Sequence, residues 1–312
     1  MATASGKVIL LGEHAVVYGT PALAAALDRG ASAEASAAAQ AELFCQNESV
    51  RPGEGPLGEA FAKLLETLGA PPVHVRASLE IPAGCGLGAS AALGVAVARA
   101  VVELMTEARG ASGPADPRQA AIRVEQAAAA WERVFHAQPS GIDAAAASQT
   151  GCIYFTRAHG AERIDVRKPF RLGVAVAGPP ASTSTMVQAV ATLRERRRTF
   201  VDRSLGLINS LVEDARRCIE SGDMPTLGQL MDLNHMLLAG LMVSTEQLEA
   251  AVRAAREAGA LGAKLTGSGG GGCVIALVED TPDRVLAAWQ RRGLACFSAT
   301  VGTEPGRRES AG

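Results

Sequence analysis

Between Val73 and Glu107 the chain reads as strand, glycine loop, helix, and this junction constrains the fold more than any other feature. Val73–Glu80 (VHVRASLE) alternates apolar and polar residues, as a half-buried strand does. Gly84-Cys85-Gly86-Leu87-Gly88-Ala89-Ser90-Ala91-Ala92 follows, and Gly88–Glu107 is rich in Ala, Val and Leu, good material for a helix. A strand-to-helix turn of this kind points several backbone N–H groups and the positive end of a helix dipole at one place, where phosphate is the natural guest. Glycine lets the backbone approach phosphate oxygens and adopt positive φ. Packing alone also places glycine at such turns, so the loop by itself admits both readings. It satisfies G-x-G-x-x-A as well, which keeps a nicotinamide or flavin protein in competition. In that fingerprint an acidic residue ends the next strand ~20 positions on, whereas here the spacing lands on Glu103, inside the expected helix. Walker A fails for want of Gly-Lys-Ser/Thr.

A second loop, Lys264-Leu265-Thr266-Gly267-Ser268-Gly269-Gly270-Gly271-Gly272-Cys273, holds five glycines in six positions between apolar strands. Each ordered glycine costs ~0.5–1 kcal/mol relative to alanine, so a closely approaching ligand or backbone is the economical explanation and a mobile hinge the bland one. Around these loops the pattern is α+β. Strands are expected at Gly6–Leu11, Pro21–Leu27, Ala31–Ala39, Cys152–Phe155, Leu172–Ala177 and Ala295–Val301. Helices are expected at Ala115–Phe135, Gly141–Gln149 with Ser140 as N-cap, Thr183–Ser221, Pro225–Leu241, Thr245–Glu257 and Pro282–Arg291. The length of 312 residues suits two domains. Charge and a proline at Val166–Phe170 place the boundary there, giving 1–168 and 169–312, with a frayed end over Gly302–Gly312.

Thirty Lys+Arg against 32 Asp+Glu leave a formal charge of −2, so nothing global attracts nucleic acid or a membrane surface. The six cysteines are scattered, with no C-x-x-C and no histidine at metal-ligand spacing, and read as small hydrophobes in a reducing compartment. The uncharged stretches 81–98 and 172–193 carry prolines and glycines that argue against insertion. No signal peptide is evident. The expectation is a soluble cytoplasmic protein.

Near the N-terminus, Gly12-Glu13-His14-Ala15-Val16-Val17-Tyr18-Gly19 follows Lys7 and a strand, putting a cation, a carboxylate and an imidazole within a dozen residues. Together the three segments GKVILLGEHAVVYG, IPAGCGLGASAA and KLTGSGGGGC, in this order and at these separations, resemble the signature motifs of the galactokinase, homoserine kinase, mevalonate kinase and phosphomevalonate kinase superfamily. The resemblance covers about Gly6 to Val301. Ala15-Val16-Val17 stands where galactokinases carry a Thr-Asp-Tyr stretch, His14 where phosphomevalonate kinases tend to carry tyrosine, and Asp143 where homoserine kinases lack the aspartate, so the mevalonate kinase branch is the most similar.

The resemblance implies a two-domain kinase fold with the active site in the cleft between domains, and transfer of phosphate from ATP, with Mg²⁺, to the primary hydroxyl of mevalonate in isoprenoid biosynthesis. The nucleotide-binding domain would be 1–168. It makes Asp143, within Pro139-Ser140-Gly141-Ile142-Asp143, the acceptor of the hydroxyl proton, and Lys7 its partner. It makes Ser90 and Glu132, eleven residues before Asp143, the metal ligands. Gly84, Gly86, Gly88, Ala89, Ser90, Ala91 and Gly269 would hold the nucleotide, and Glu13, His14 and Thr183 the acceptor. Ala89 departs from the family, which often has serine there. The partners implied are mevalonate and ATP, with a homodimer left open. Each residue also has a plainer reading: Asp143 a helix-start acid that satisfies the dipole, Lys7 a solvated strand-edge lysine, Glu132 a solvated helix residue beside Arg133. His74, His136, His159 and His235 read as structural or surface, and the Arg194–Arg198 cluster as a solvated helical face. The rivals are another kinase or a decarboxylase of the superfamily, a nicotinamide-dependent oxidoreductase, and a non-catalytic sensor of the same fold.

Overall fold

The structure is a computed structural model and describes residues 1–108, 116–135, 141–279 and 282–302. The chain forms two compact units, neither continuous in sequence. The first comprises Met1–Gly6, Arg29–Ala83 and Gly88–Gln149; the second comprises Lys7–Asp28, Gly84–Leu87 and everything from Thr150. The expected boundary at 168/169 thus falls inside the second unit. Compactness divides the chain elsewhere because the first two strands, β1 (Ala2–Leu11) and β2 (Ala22–Ala37), each contribute residues to both units.

In the first unit the end of β2 pairs antiparallel with β5 (Val73–Leu79), from Ala31↔Leu79 to Ala37↔Val73. β3 (Glu42–Cys45) runs parallel to β5, and β4 (Glu48–Val50) closes the edge. Helices α1 (Gly55–Leu68), α2 (Ala89–Ala108), α3 (Pro117–Phe135) and α4 (Ile142–Ser148) belong to this unit. α2 packs on β5, α3 and α4, and α1 packs on α3. Their shared core includes Phe61, Leu64, Val95, Val101 and Trp131. Among the described residues α2 alone is long and apolar enough to span a bilayer, but 72% of its most apolar 18-residue stretch is buried inside the protein, as befits a core helix.

In the second unit the start of β2 pairs with β6 (Cys152–Thr156), and β6 with β7 (Gly160–Ile164). A separate antiparallel sheet has the order β11-β8-β10-β9, from β8 (Phe170–Gly178), β9 (Gly262–Thr266), β10 (Gly272–Val278) and β11 (Cys296–Val301). α7 (Met224–Gly240) and α8 (Glu246–Glu257) cover β9, and α9 (Asp283–Gln290) packs on α8 and β11. Thr245 caps α8 by accepting from the Leu248 N–H at 3.3 Å, satisfying one of the N–H groups a helix start leaves over.

Three expectations are corrected. The segment Thr183–Ser221 is two helices, α5 (Thr183–Arg196) and α6 (Arg198–Ser221), because Arg197 leaves helical geometry at φ −137°, ψ 49°. The two strands expected on either side of Asp28-Arg29-Gly30 are one. Gly30 marks no turn there: a Cβ on it would lie 2.0 Å from the Ala4 carbonyl oxygen, so it is the close approach of β1 that requires glycine. The N-cap of α4 is Gly141, in the left-handed region at φ 84°; Ser140, Pro139 and His136 lie outside the described residues, as does the chain end beyond Gly302.

Candidate active site

In the first unit, α2 and α3 bring Ser90 and Glu132 together. Ser90 Oγ donates to Glu132 Oε1 at 3.0 Å, and Trp131 Nε1 donates to Ser90 Oγ at 3.3 Å. The indole reaches this place only because Gly94, one turn along α2 from Ser90, has no side chain: a Cβ there would lie 2.7 Å from Trp131 Cδ1. Glu132 is 3% exposed, which excludes the solvated-helix reading. A hydroxyl and a carboxylate in contact are two hard oxygen donors, the chemistry Mg²⁺ takes, and Mg²⁺ keeps several waters and needs few protein ligands. Helix hydrogen bonding begins with the Ala92 N–H on Gly88 O at 2.9 Å, so the N–H groups of Ala89, Ser90 and Ala91 stand ahead of the ladder, where a helix binds anions. Ala89 and Ala91 have buried side chains and offer ligands only their backbone. Asp143 sits in the first turn of α4, half-buried.

In the second unit, Lys7 is buried and is therefore no solvated strand-edge lysine. Its N–H donates to the Leu87 carbonyl at 2.8 Å, tying β1 to the first glycine loop. Gly84 and Gly86 have φ 74° and 77°. A Cβ would meet nothing within 4 Å at Gly84 and only the Thr266 carbonyl, at 3.9 Å, at Gly86. The first loop thus needs glycine for its conformation and leaves open space beside it. The second loop is different. A Cβ on Gly269 would lie 2.2 Å from Val243 O, and one on Gly271 1.9 Å from Pro179 O, so approaching backbone explains those two glycines without a ligand.

The same unit joins residues far apart in the sequence. His14 Nε2 lies 2.8 Å from the Ser268 carbonyl oxygen, so Nε2 carries the proton and donates. Ser268 Oγ donates to Thr183 Oγ1 at 3.5 Å. Burial pushes the His14 imidazole below its ordinary pKa, against smaller upward pulls from the Ser268 bond and the Glu13 charge. Glu13 is itself buried, paired with the buried Lys264, and accepts from Asn234 Nδ2 at 3.0 Å. Thr266 Oγ1 accepts from the Ile9 N–H at 2.9 Å and donates to the Ile9 carbonyl at 3.0 Å, binding β1 to β9.

Ser268, Lys264 and Asn234 were not singled out from the sequence. Ser268 and Lys264 lie inside the KLTGSGGGGC motif, yet their partners are more than 250 residues away along the chain. The Arg194–Arg198 cluster is solvated over Arg196–Arg198, while Arg194 stacks 4.9 Å from the Tyr18 ring centroid and pairs with Asp202 at 2.6 Å. His235 is buried, as a structural histidine should be. All six cysteines are free thiols.

Sequence comparison decides the family. Residues 57–151 match the GHMP kinases N terminal domain and residues 214–295 the GHMP kinases C terminal domain. A mevalonate kinase of Methanothermobacter thermautotrophicus is 35% identical over 302 residues, covering 93% of this chain and 94% of that protein. The chain belongs to the GHMP kinases. A mevalonate kinase of Aeropyrum pernix is 31% identical to this GHMP kinase, covering 99% and 98% of the two chains. The crystal structure of L. major mevalonate kinase in complex with R-mevalonate superposes with a TM-score of 0.85 at 28% identity, covering 98% of this GHMP kinase and 96% of that chain.

Proposed function

We propose that this GHMP kinase transfers the γ-phosphoryl group of ATP to the primary hydroxyl of mevalonate, giving 5-phosphomevalonate and ADP. The observation that carries this reading is the match to mevalonate kinases along nearly the whole chain, joined to the presence of every residue the chemistry needs. Phosphoryl transfer asks a protein for positioning and charge stabilisation more than for covalent chemistry. Asp143 takes the proton of the acceptor hydroxyl as the oxygen attacks phosphorus. Lys7 offsets the negative charge that builds on the transferring group and its new oxygen bond.

Gly84, Gly86, Gly88, Ala89, Ser90, Ala91 and Gly269 bind the nucleotide, the three α2 residues through backbone N–H groups. Ser90 and Glu132 would hold Mg²⁺, which when bound neutralises phosphate charge. Glu13, His14 and Thr183 bind the acceptor, and Glu13 also sets the position of its neighbour His14. Most of these residues lie in 1–168, with Thr183 and Gly269 in 169–312; isoprenoid biosynthesis is the setting and the cytoplasm the location. The test is ADP release measured with mevalonate, phosphomevalonate, homoserine and galactose side by side. Mevalonate is expected to support turnover at least tenfold above the others in kcat/KM, and equal or greater turnover with another acceptor overturns the reading.

A further inference from the structure

Two ionisable side chains in the second unit are withdrawn from water almost completely: Glu13 is 1% exposed and Lys264 0%. They form an ion pair. The Lys264 ammonium also donates to the Leu265 carbonyl at 2.6 Å, and Asn234 Nδ2 occupies the other Glu13 oxygen at 3.0 Å. Both oxygens of the Glu13 carboxylate are therefore engaged by β9 and α7. Removing either member of the pair would leave the other buried without its counter-charge, which is strongly unfavourable.

The next residue explains what the pair accomplishes. His14 has φ 60°, ψ −42°, a backbone conformation that a residue with a Cβ rarely adopts and that persists only where its surroundings over-determine it. Two anchors do so. On one side the Glu13 carboxylate is fastened to Lys264 and Asn234; on the other, His14 Nε2 is fastened to the Ser268 carbonyl at 2.8 Å. Lys264 and Ser268 belong to one short stretch, the end of β9 and the loop after it. The turn at the end of β1 is thus held at two points by a single short segment.

We propose that Lys264 is a positioning residue for the acceptor: through Glu13 it holds His14 in its strained conformation, with Nε2 committed to Ser268 and the other ring nitrogen left as the acceptor-facing group. This rests on the reading of His14 as a mevalonate contact. Loss of the pair lets the Gly12–His14 turn relax and costs acceptor affinity, while leaving the first glycine loop alone.

The experiment compares Lys264→Met, Glu13→Gln and the double variant, with mevalonate KM, kcat, ATP affinity in the absence of acceptor, and thermal melting all measured. Each single variant leaves a buried group uncompensated and is expected to melt earlier. The double variant replaces the pair by neutral groups of similar size and is expected to regain much of that loss. If Lys264 acts through Glu13 on His14, the mevalonate KM rises at least tenfold in the double variant despite its recovered stability, by no more than in the worse single variant, and ATP affinity stays within twofold. A double variant with wild-type KM overturns the proposal and makes the pair purely structural. So do effects of the two singles that multiply in the double, or ATP affinity that falls in parallel with mevalonate use. Wild-type protein inactive on mevalonate would instead overturn the reading of the function, an outcome visible before any variant is made.

Discussion

Ser90 and Glu132 lie 42 residues apart in the chain and meet through a 3.0 Å hydrogen bond, one from the first turn of α2 and the other from the last turn of α3. Two buried or half-buried oxygen donors held in register by helix packing are ready to serve one hard cation. Ser90→Ala and Glu132→Gln are therefore expected to raise the Mg²⁺ concentration for half-maximal activity by roughly tenfold or more, since each removes a donor that water replaces less well. Titrating activity against Mg²⁺ at fixed ATP checks this, and an unchanged midpoint for Glu132→Gln would make its bond to Ser90 a purely structural one.

Gly94 tests whether that pair depends on the core beneath it. In Gly94→Ala the new methyl meets Trp131 Cδ1 at 2.7 Å and Cγ at 2.8 Å, and Trp131 is fully buried. The indole must move, and overpacking of this kind costs ~1–3 kcal/mol. Because Trp131 Nε1 bonds to Ser90, the variant is expected to lower the melting temperature and also raise the Mg²⁺ requirement. A destabilised variant with an unaltered Mg²⁺ midpoint would show that the indole bond plays no part in setting Ser90.

Much of this was legible in the sequence because the signals were local. The strand, glycine loop and helix over 73–107 appear as β5, the loop and α2, and the apolar runs flanking the second glycine loop appear as β9 and β10. What escaped is non-local. Neither proline nor glycine stands near Arg197 to break the helical pattern, the one glycine of Thr183–Ser221 being Gly206 within α6, yet two helices meet there; the cations at Arg194 and Arg196 suit the last turn of α5. Lys264 was equally hidden, since a single lysine in a short strand ordinarily reads as an edge residue. Only the fold brings Glu13 to it across 251 positions. No expectation covered 40–72, although Pro56 and Gly69 mark the start and stop of α1.

Acid is expected to destabilise the protein through its buried histidines. His14 and His235 both have pKa values pushed below the ordinary 6.5, chiefly by burial. Between pH 6.5 and those lowered values the unfolded chain binds protons that the folded protein refuses. Stability is therefore full above about pH 6.5 and is lost as pH falls, by up to ~1.4 kcal/mol per pH unit for each histidine. The carboxylates with lowered pKa values, Glu162, Asp202 and Asp223, act only below their ordinary range near 4 and leave the window from pH 6.5 to 5 to the histidines. Urea melts at pH 7, 6 and 5 measure the slope; a flat profile would mean that neither imidazole is held neutral.

Asp143 carries the sharpest chemical prediction. Asp143→Asn keeps the shape of the side chain and its place in the first turn of α4 but removes the proton acceptor. The hydroxyl must then lose its proton to water, and general-base contributions of this kind are worth roughly 10²–10⁴ in rate, so turnover is expected to fall by at least 10²-fold. The transition state loses what the ground state never had, so kcat should carry the loss while KM for ATP stays near its wild-type value. Raising the pH offers a second readout. If Asp143 is the base, the residual activity of Asp143→Asn climbs with pH as hydroxide substitutes for it, whereas the wild-type rate does not follow that slope. A folded Asp143→Asn enzyme that keeps more than a tenth of wild-type turnover would take the proton acceptor away from α4 and leave Asp143 as a carboxylate that only satisfies the helix dipole.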